Sequence, residues 1–210
     1  MRKPLLTSLV ATAALVLAPL VQASPAALDF NGGDVYTTGI LNNIGWSFSV
    51  STGTIRIDGL GLFDVGADGL SNRHQVGLWR ADGALLAQAT VSSSSTAVAS
   101  AAGPLGQWLF EGIDTLTLTA GNYVIGAFYA DEDADFVVAS TTGTLTAAGL
   151  AYTGSLASDG SAWAKPGPYG LVQPSIFGPN LRLATVPEPM TMTLVALALG
   201  AAFTRRRRSH

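Results

Sequence analysis

The chain has 210 residues, only 12% of them charged, and no cysteine, so disulfide bonds, thiolate metal sites and cysteine nucleophiles are excluded. The formal net charge of −3 conceals an uneven distribution, because most Lys and Arg lie at the two ends of the chain. Residues 24–185 hold five basic and thirteen acidic residues, a net charge of −8, which argues against nucleic acid as a partner because phosphate binding needs Lys and Arg.

Residues 1–23 have the pattern of a secretory signal peptide. Arg2 and Lys3 give a positive start, and an apolar run from Leu5 to Leu20 precedes a stretch suited to cleavage before Ser24. The alternative is a membrane anchor, but the run is shorter than the ~20 residues of a spanning helix. We therefore expect residues 1–23 to be removed and the rest of the chain to be exported.

Residues 24–185 predict one all-β domain of about 160 residues, which is long enough for a substantial core. Trp46–Val50 alternates apolar and polar residues, the pattern of a half-buried strand. Comparable short runs recur along the body without a long helical period, which favours an antiparallel β-sandwich or jelly roll. The other predicted strands are Ile55–Ile57, Gly61–Phe63, Val76–Trp79, Leu85–Val91, Trp108–Phe110, Leu116–Leu118, Tyr123–Tyr129 and Phe136–Val138. The predicted turns are Ala67–Gly69, Ala81–Gly83 and Ala120–Asn122.

The segment Ser92–Gly103 does not fit this pattern of strands and turns. It consists of small and mostly polar residues, which suit a loop, a flexible linker or a weak strand. The periodicity of apolar residues in this segment does not distinguish among these three interpretations.

His74 is the one histidine of the body, and it precedes the predicted strand Val76–Trp79. A catalytic triad would need an oriented acid and an activated serine beside it, and the sequence has no G-x-S-x-G elbow, H-E-x-x-H pair or phosphate-binding glycine loop. We interpret His74 as an ordinary residue of a strand edge or loop. The body is predicted to be non-enzymatic, with no catalytic residue assigned.

The segment Tyr129–Phe136 carries four acids in five residues: Asp131, Glu132, Asp133 and Asp135. Crowded carboxylates repel one another, and a hard cation such as calcium relieves the repulsion by accepting six to eight oxygen ligands. The segment lacks the full pattern of an EF-hand loop. Two interpretations stay open, a solvated acidic hairpin tip and a structural calcium site. A second acidic turn, Phe63–Leu70, is a weaker candidate for an ion or ligand role.

The tryptophans fall into two groups. Trp46, Trp79 and Trp108 lie within apolar strands and are predicted to be core residues. Trp163 and Tyr169 flank a Gly- and Pro-rich stretch, and we interpret them as surface-loop candidates for stacking on a ligand such as a polysaccharide.

The C-terminal tail, residues 186–210, has three parts in succession. A proline motif comes first, then an apolar run from Met190 to Phe203, then an arginine cluster. As a helix the run would be about 21 Å long, short of a ~30 Å hydrocarbon core but able to span a locally thinned bilayer. The motif is Val186, Pro187, Glu188 and Pro189, and the cluster that would hold the C-terminus inside is Arg205, Arg206, Arg207 and Arg208.

This tail resembles the PEP-CTERM sorting domain of exported proteins in Gram-negative bacteria. The resemblance implies recognition by an exosortase, a membrane protease or transpeptidase. It also implies a transmembrane helix before cleavage, and delivery to the cell envelope, the cell surface or the extracellular matrix. Less specifically, segments such as Gly45–Val50 and His74–Trp79 resemble a β-rich domain that often precedes this tail and has no assigned activity.

These features together predict a non-enzymatic exported envelope or matrix protein, associated with carbohydrate or exopolysaccharide. Two alternatives stay open. One is a secreted polysaccharide hydrolase that uses a pair of Asp or Glu carboxylates. The other is an uncut, membrane-anchored surface adhesin.

Overall fold

The computed structural model describes residues 26–36, 42–130, 133–140, 145–168 and 176–185. In these ranges every strand pairing is antiparallel, and the helical structure is one 3-10 turn at Gly103–Leu105. The prediction of an all-β body is therefore confirmed. No helix of the described part is long and apolar enough to cross a membrane. The expected signal helix in residues 1–23 and tail helix in residues 186–210 lie outside the described residues.

Twelve strands are present in the described ranges. They are β1 (Leu28–Asp29), β2 (Asp34–Tyr36), β3 (Asn43–Val65), β4 (His74–Arg80), β5 (Leu85–Val91), β6 (Thr96–Ala99), β7 (Gly106–Phe128), β8 (Val137–Ala139), β9 (Leu145–Thr146), β10 (Leu150–Ser158), β11 (Ile176–Phe177) and β12 (Pro179–Leu183).

Two 23-residue strands, β3 and β7, form the centre of the fold and pair with each other along most of their length. The sequence predicts three short strands in place of each. The register shifts between Val50 and Thr54 and again between Ile57 and Gly59, so the glycine and polar positions there form irregularities within one continuous strand. The prediction of separate strands, and of a turn at Ala120–Asn122, is wrong for this reason.

In the largest sheet the strands lie in the order β10-β3-β7-β4-β5. Strand β12 pairs with the second half of β3, and β6 pairs with the first half of β7. The other halves of the long strands pair with β10 and β4. Two smaller sheets, β11-β8-β2 and β1-β9, complete the described structure. Each long strand therefore has one set of neighbours at its start and another at its end.

The core contains the tryptophans that the sequence predicts. Trp46 and Trp108 are fully buried and Trp79 is nearly so, which confirms that prediction. Phe30, which follows β1, lies 5.0 Å from the ring of Phe63 and 5.7 Å from Trp108, measured between ring centroids. Aromatic rings at these separations attract one another beyond the effect of burial alone. The N-terminal strand is thus anchored in the centre of the core.

The short connections between strands agree better with the predictions from the sequence than the strand lengths do. Turns at Ala67–Gly69 and Ala81–Gly83 are present and join β3 to β4 and β4 to β5. Within Ser92–Gly103, a tight turn closed by a hydrogen bond from Ser95 N–H to the Ser92 carbonyl leads into β6. Of the three interpretations of this segment, the weak strand is confirmed, because β6 lies within it.

The first and last described segments of the body lie side by side. Ala26 forms an antiparallel bridge with Arg182, and Ala27 N–H donates to the Leu181 carbonyl at 2.8 Å. Asn180, which is fully buried, accepts from Leu28 N–H at 3.2 Å and donates to the Leu28 carbonyl at 2.6 Å. The body therefore closes on itself between residues 26 and 185.

Residues 159–168 pack on the face of the large sheet. Gly77 and Gly126, which are paired on β4 and β7, leave room for this segment. A Cβ at Gly77 would lie 2.6 Å from the Trp163 ring, and one at Gly126 would overlap the Pro166 ring. Asn43 holds the segment through its amide, accepting from Ala164 N–H at 2.8 Å. Close packing here therefore requires glycine at both positions.

Candidate metal centre

Two loops and the start of a strand converge at one end of the large sheet. His74 is the first residue of β4, and it follows the loop that contains Ser71 and Asn72. Asp133 and Asp135 lie in the segment between β7 and β8. Because β4 pairs with the end of β7, this topology brings His74 beside the acidic segment, 61 residues away from Asp135 along the chain.

The imidazole of His74 is completely buried between oxygen atoms. Its Nε2 lies 2.8 Å from Oδ2 of Asp135, its Nδ1 lies 3.0 Å from the carbonyl oxygen of Phe128, and Nδ1 is 3.8 Å from Oδ2 of Asp133. A backbone carbonyl and an ionised carboxylate only accept hydrogen bonds. A hydrogen bond to either oxygen therefore requires the ring nitrogen that faces it to carry a proton.

The carboxylates also hold the loop before β4. Asp135 accepts from the backbone N–H groups of Ser71 at 2.8 Å and Asn72 at 2.9 Å. Asp133 accepts from the Asn72 side-chain amide at 3.0 Å and from the backbone N–H of Asp135, also at 3.0 Å. The carboxylates of Asp133 and Asp135 therefore face inward. The hydrogen bonds join two loops that are far apart in the sequence.

The charge state of Asp135 follows from these contacts. Burial by itself raises the pKa of this carboxyl, but the hydrogen bonds from His74 and from the Ser71 and Asn72 N–H groups outweigh burial. The pKa of Asp135 therefore lies below its ordinary value. The group is ionised at neutral pH, which matches its role as an acceptor.

Tyr129 lies against the same cluster. Its ring centroid is 4.8 Å from that of His74, the side chain is fully buried, and the hydroxyl has no hydrogen-bond partner among the described residues. Burial first, and then the charges of Asp133 and Asp135, raise the pKa of the Tyr129 phenol well above its ordinary range. A buried hydroxyl without a partner is uncommon in folded proteins, and it marks this place as unusual.

Among the described residues, the group that could hold a metal is His74, Asp133 and Asp135. Each offers one ligand atom, and the three atoms lie within 4.8 Å of one another. Neutral imidazole and carboxylate are both good ligands for divalent metals. The same three groups are also stable without a metal, as a buried ion-pair network. The geometry therefore suits either a metal site or an ion-pair network.

A small pocket of about 140 Å³ lies next to this cluster. It is lined by both acidic turns that the sequence singles out, including Asp64 and Asp68 from the first and Asp135 from the second. The Asp64 carboxylate is buried and accepts from Gly69 N–H at 3.2 Å and from the Gln107 amide at 2.9 Å. The fold thus brings together two turns that are about 65 residues apart in the sequence.

The sequence-predicted site residues have different outcomes. Of the four candidate metal ligands, Asp133 and Asp135 lie together, whereas Asp131 and Glu132 are outside the described residues. Trp163 packs against Trp79 at 5.2 Å between ring centroids, with its Nε1 buried. The other candidates outside the described residues are Tyr169, Val186, Pro187, Glu188, Pro189, Arg205, Arg206, Arg207 and Arg208.

Sequence reasoning assigned no role to His74, which the structure places at the centre of the cluster. The available signal was its position immediately before a buried strand in a body with no other histidine. That signal gives no indication of which acids lie nearby, because the contact depends on the pairing of β4 with β7.

No protein-family model matches the chain, and neither curated proteins nor solved structures show a significant match to it.

Proposed function

We propose that the protein is an exported, non-enzymatic module of the cell envelope or extracellular matrix, possessing an antiparallel β-sandwich body of the jelly-roll kind. Residues 1–23 direct its export. Residues 186–210 are a sorting tail, which holds the chain in the membrane until an exosortase cleaves it. Polysaccharide is the proposed class of matrix ligand.

The pairing of the two ends of the body carries this proposal. Ala26 and Arg182 form a bridge, so the chain enters and leaves the body at neighbouring points. The predicted cleavage before Ser24 would leave two residues ahead of Ala26, and the sorting motif begins four residues after Arg182. Only a few residues of chain therefore separate each predicted processing site from the bridged residues. Cleavage at both would leave the paired strands intact.

The hydrogen bonds that the buried acids accept also support a structural role for the body. Asp29 accepts from Ala101 N–H at 2.8 Å and from the Trp108 indole at 3.2 Å, which fastens β1 to a distant loop. Asp135 connects two other loops in the same way, and Asp64 holds its own turn and the neighbouring strand β7. A glycoside hydrolase needs two carboxylates that face a substrate across a cleft. Here the buried carboxylates are occupied by hydrogen bonds that hold the fold.

The sandwich and jelly-roll architecture is supported by the two long strands. Because β3 and β7 change partners along their length, one pair of strands can contribute to two regions of the sheet. Irregularities near Val50 and Ile57 give each strand a place to bend. A sheet that closes around one core needs strands that bend and that pair with different neighbours along their length.

The experiment is mass spectrometry of the protein recovered from a bacterium that carries an exosortase. We expect mature material to begin at Ser24 and to end near Pro187–Pro189. A Glu188→Ala variant should accumulate in the membrane fraction with His210 retained, while the control Thr191→Ala is processed normally. Secreted protein with an intact terminus at His210 would overturn the sorting account. Glycan-array binding without turnover supports the module, and release of reducing ends from a matrix polysaccharide supports the hydrolase instead.

A further inference from the structure

We propose that His74, Asp133 and Asp135 form a binding site for one divalent transition-metal ion of the Zn²⁺ class. The inference does not depend on the sorting account. It concerns the folded body, and its test reads metal binding directly.

The first argument is the orientation of the imidazole. A metal-binding histidine usually donates its other ring N–H to a carbonyl or carboxylate, which fixes the tautomer and presents the remaining nitrogen to the metal. His74 Nδ1 lies 3.0 Å from the Phe128 carbonyl oxygen, and this leaves Nε2 directed at Asp135. The ring is completely buried, so this orientation is fixed by packing.

The second argument is the spacing of the ligand atoms. Nε2 of His74 and Oδ2 of Asp135 are 2.8 Å apart. Two ligands of a tetrahedral zinc ion lie about 3.3 Å apart, so binding requires the Asp135 carboxylate to move slightly away from Nε2. It also requires the Asp133 carboxylate, whose Oδ2 lies 3.8 Å from Nδ1, to approach Nε2. A proton and a metal ion compete for the same nitrogen, and the ion replaces the proton of the His74–Asp135 hydrogen bond.

The third argument is the support around the carboxylates. Ser71 N–H, Asn72 N–H and the Asn72 amide hold Asp135 and Asp133 in place. Hydrogen bonds of this kind orient metal-binding carboxylates and contribute to affinity. With a neutral imidazole, the two carboxylates carry two negative charges, which a divalent ion balances.

The fourth argument is independent of the three ligands. The hydroxyl of Tyr129 is fully buried and has no partner within the part of the chain that the structure describes. The Tyr129 ring packs against the His74 ring, and both carboxylates act electrostatically on the phenol. A bound ion, or a water molecule that it carries, would give this hydroxyl a polar partner. The cluster alone provides none.

The nitrogen ligand decides the class of metal. Calcium takes six to eight oxygen ligands, whereas imidazole suits zinc and related ions. A site that includes His74 and only two carboxylates favours the Zn²⁺ class. Calcium becomes the competing outcome of the test.

The test is calorimetric titration of the full chain, purified in detergent and freed of metal with EDTA. His210, the other histidine of the chain, is first changed to Gln so that it contributes no binding. In this background we expect one Zn²⁺ per chain, and a His74→Gln variant should bind Zn²⁺ at least ten times more weakly. The control Asp114→Asn, an exposed acid of β7, should bind as the background protein does.

Equal Zn²⁺ affinity with and without His74 would overturn the site, and so would Ca²⁺ binding that is as tight as Zn²⁺ binding and unaffected by His74→Gln. X-ray absorption of the zinc-loaded His210→Gln protein provides a second measurement, which does not require the His74 variant to fold. Imidazole scattering in the metal's coordination sphere supports the proposal, and its absence overturns it.

Discussion

His74 Nε2 and Asp135 Oδ2 lie 2.8 Å apart in the interior of the protein, although 61 residues separate them in the chain. This contact joins the start of β4 to the acidic segment before β8. It holds the Asp135 carboxylate in the interior, where this residue is only 7% exposed. The stability of both loops should depend on it.

An Asp135→Asn substitution should destabilise the protein by about 2–4 kcal/mol, because it replaces the buried, ionised hydrogen-bond partner of His74 with a neutral amide. The substitution also weakens the acceptors for Ser71 and Asn72 N–H. Thermal unfolding in EDTA measures the effect without a contribution from bound metal. The matched control is Asp114→Asn, which is exposed and should change stability by less than about 0.5 kcal/mol. Equal melting temperatures for the two variants would contradict a stabilising role for the cluster.

The contribution of Asp135 should depend on pH in a defined direction. Its pKa is lowered in the folded protein, so its contribution is complete above the unfolded value of about 4 and is lost as pH falls through the lower folded value. In EDTA, the difference in melting temperature between the wild type and Asp135→Asn should be constant from pH 7 to 5 and shrink below about pH 4. A gap that stays constant down to pH 2 would contradict this assignment of the ionised group.

A Gly126→Ala substitution should displace residues 159–168 from the sheet. The new methyl group would overlap the Pro166 ring, and overpacking of this kind costs about 1–3 kcal/mol. We expect a lower melting temperature and a red shift of tryptophan fluorescence as Trp163 becomes more exposed. The control is Gly112→Ala on the same strand, where the nearest atom to the new Cβ is 3.8 Å away. If both variants behave alike, the segment does not depend on close contact with Gly126.

An Asn180→Ala substitution should loosen the closure of the body. It removes the side chain that pairs with both backbone groups of Leu28 and leaves them buried without these partners, at a cost of about 2–3 kcal/mol. Hydrogen exchange should show the largest loss of protection in β1 and β12. Asn122→Ala, an exposed position in β7, is the matched control. Unchanged protection near Leu28 would show that the two ends do not depend on Asn180.

The sequence by itself determined the class of the fold and the burial of Trp46, Trp79 and Trp108. Alternation in Trp46–Val50 identifies a half-buried strand because successive side chains of a strand point to opposite faces. The turns at Ala67–Gly69 and Ala81–Gly83 were also predictable, since their geometry depends on a few adjacent residues. The absence of cysteine and the distribution of charge limited the chemistry in the same direct way.

Only the tertiary structure decided which strands are continuous and which residues meet. Glycine and polar residues near Val50 and Ile57 have the same local signature at a bulge as at a turn, so the length of β3 depends on its pairing with β7. His74 meets Asp135 because β4 lies beside the end of β7, and no local pattern encodes that neighbourhood. Local backbone preferences act over a few residues, whereas a site built from distant segments exists only once the sheet has formed.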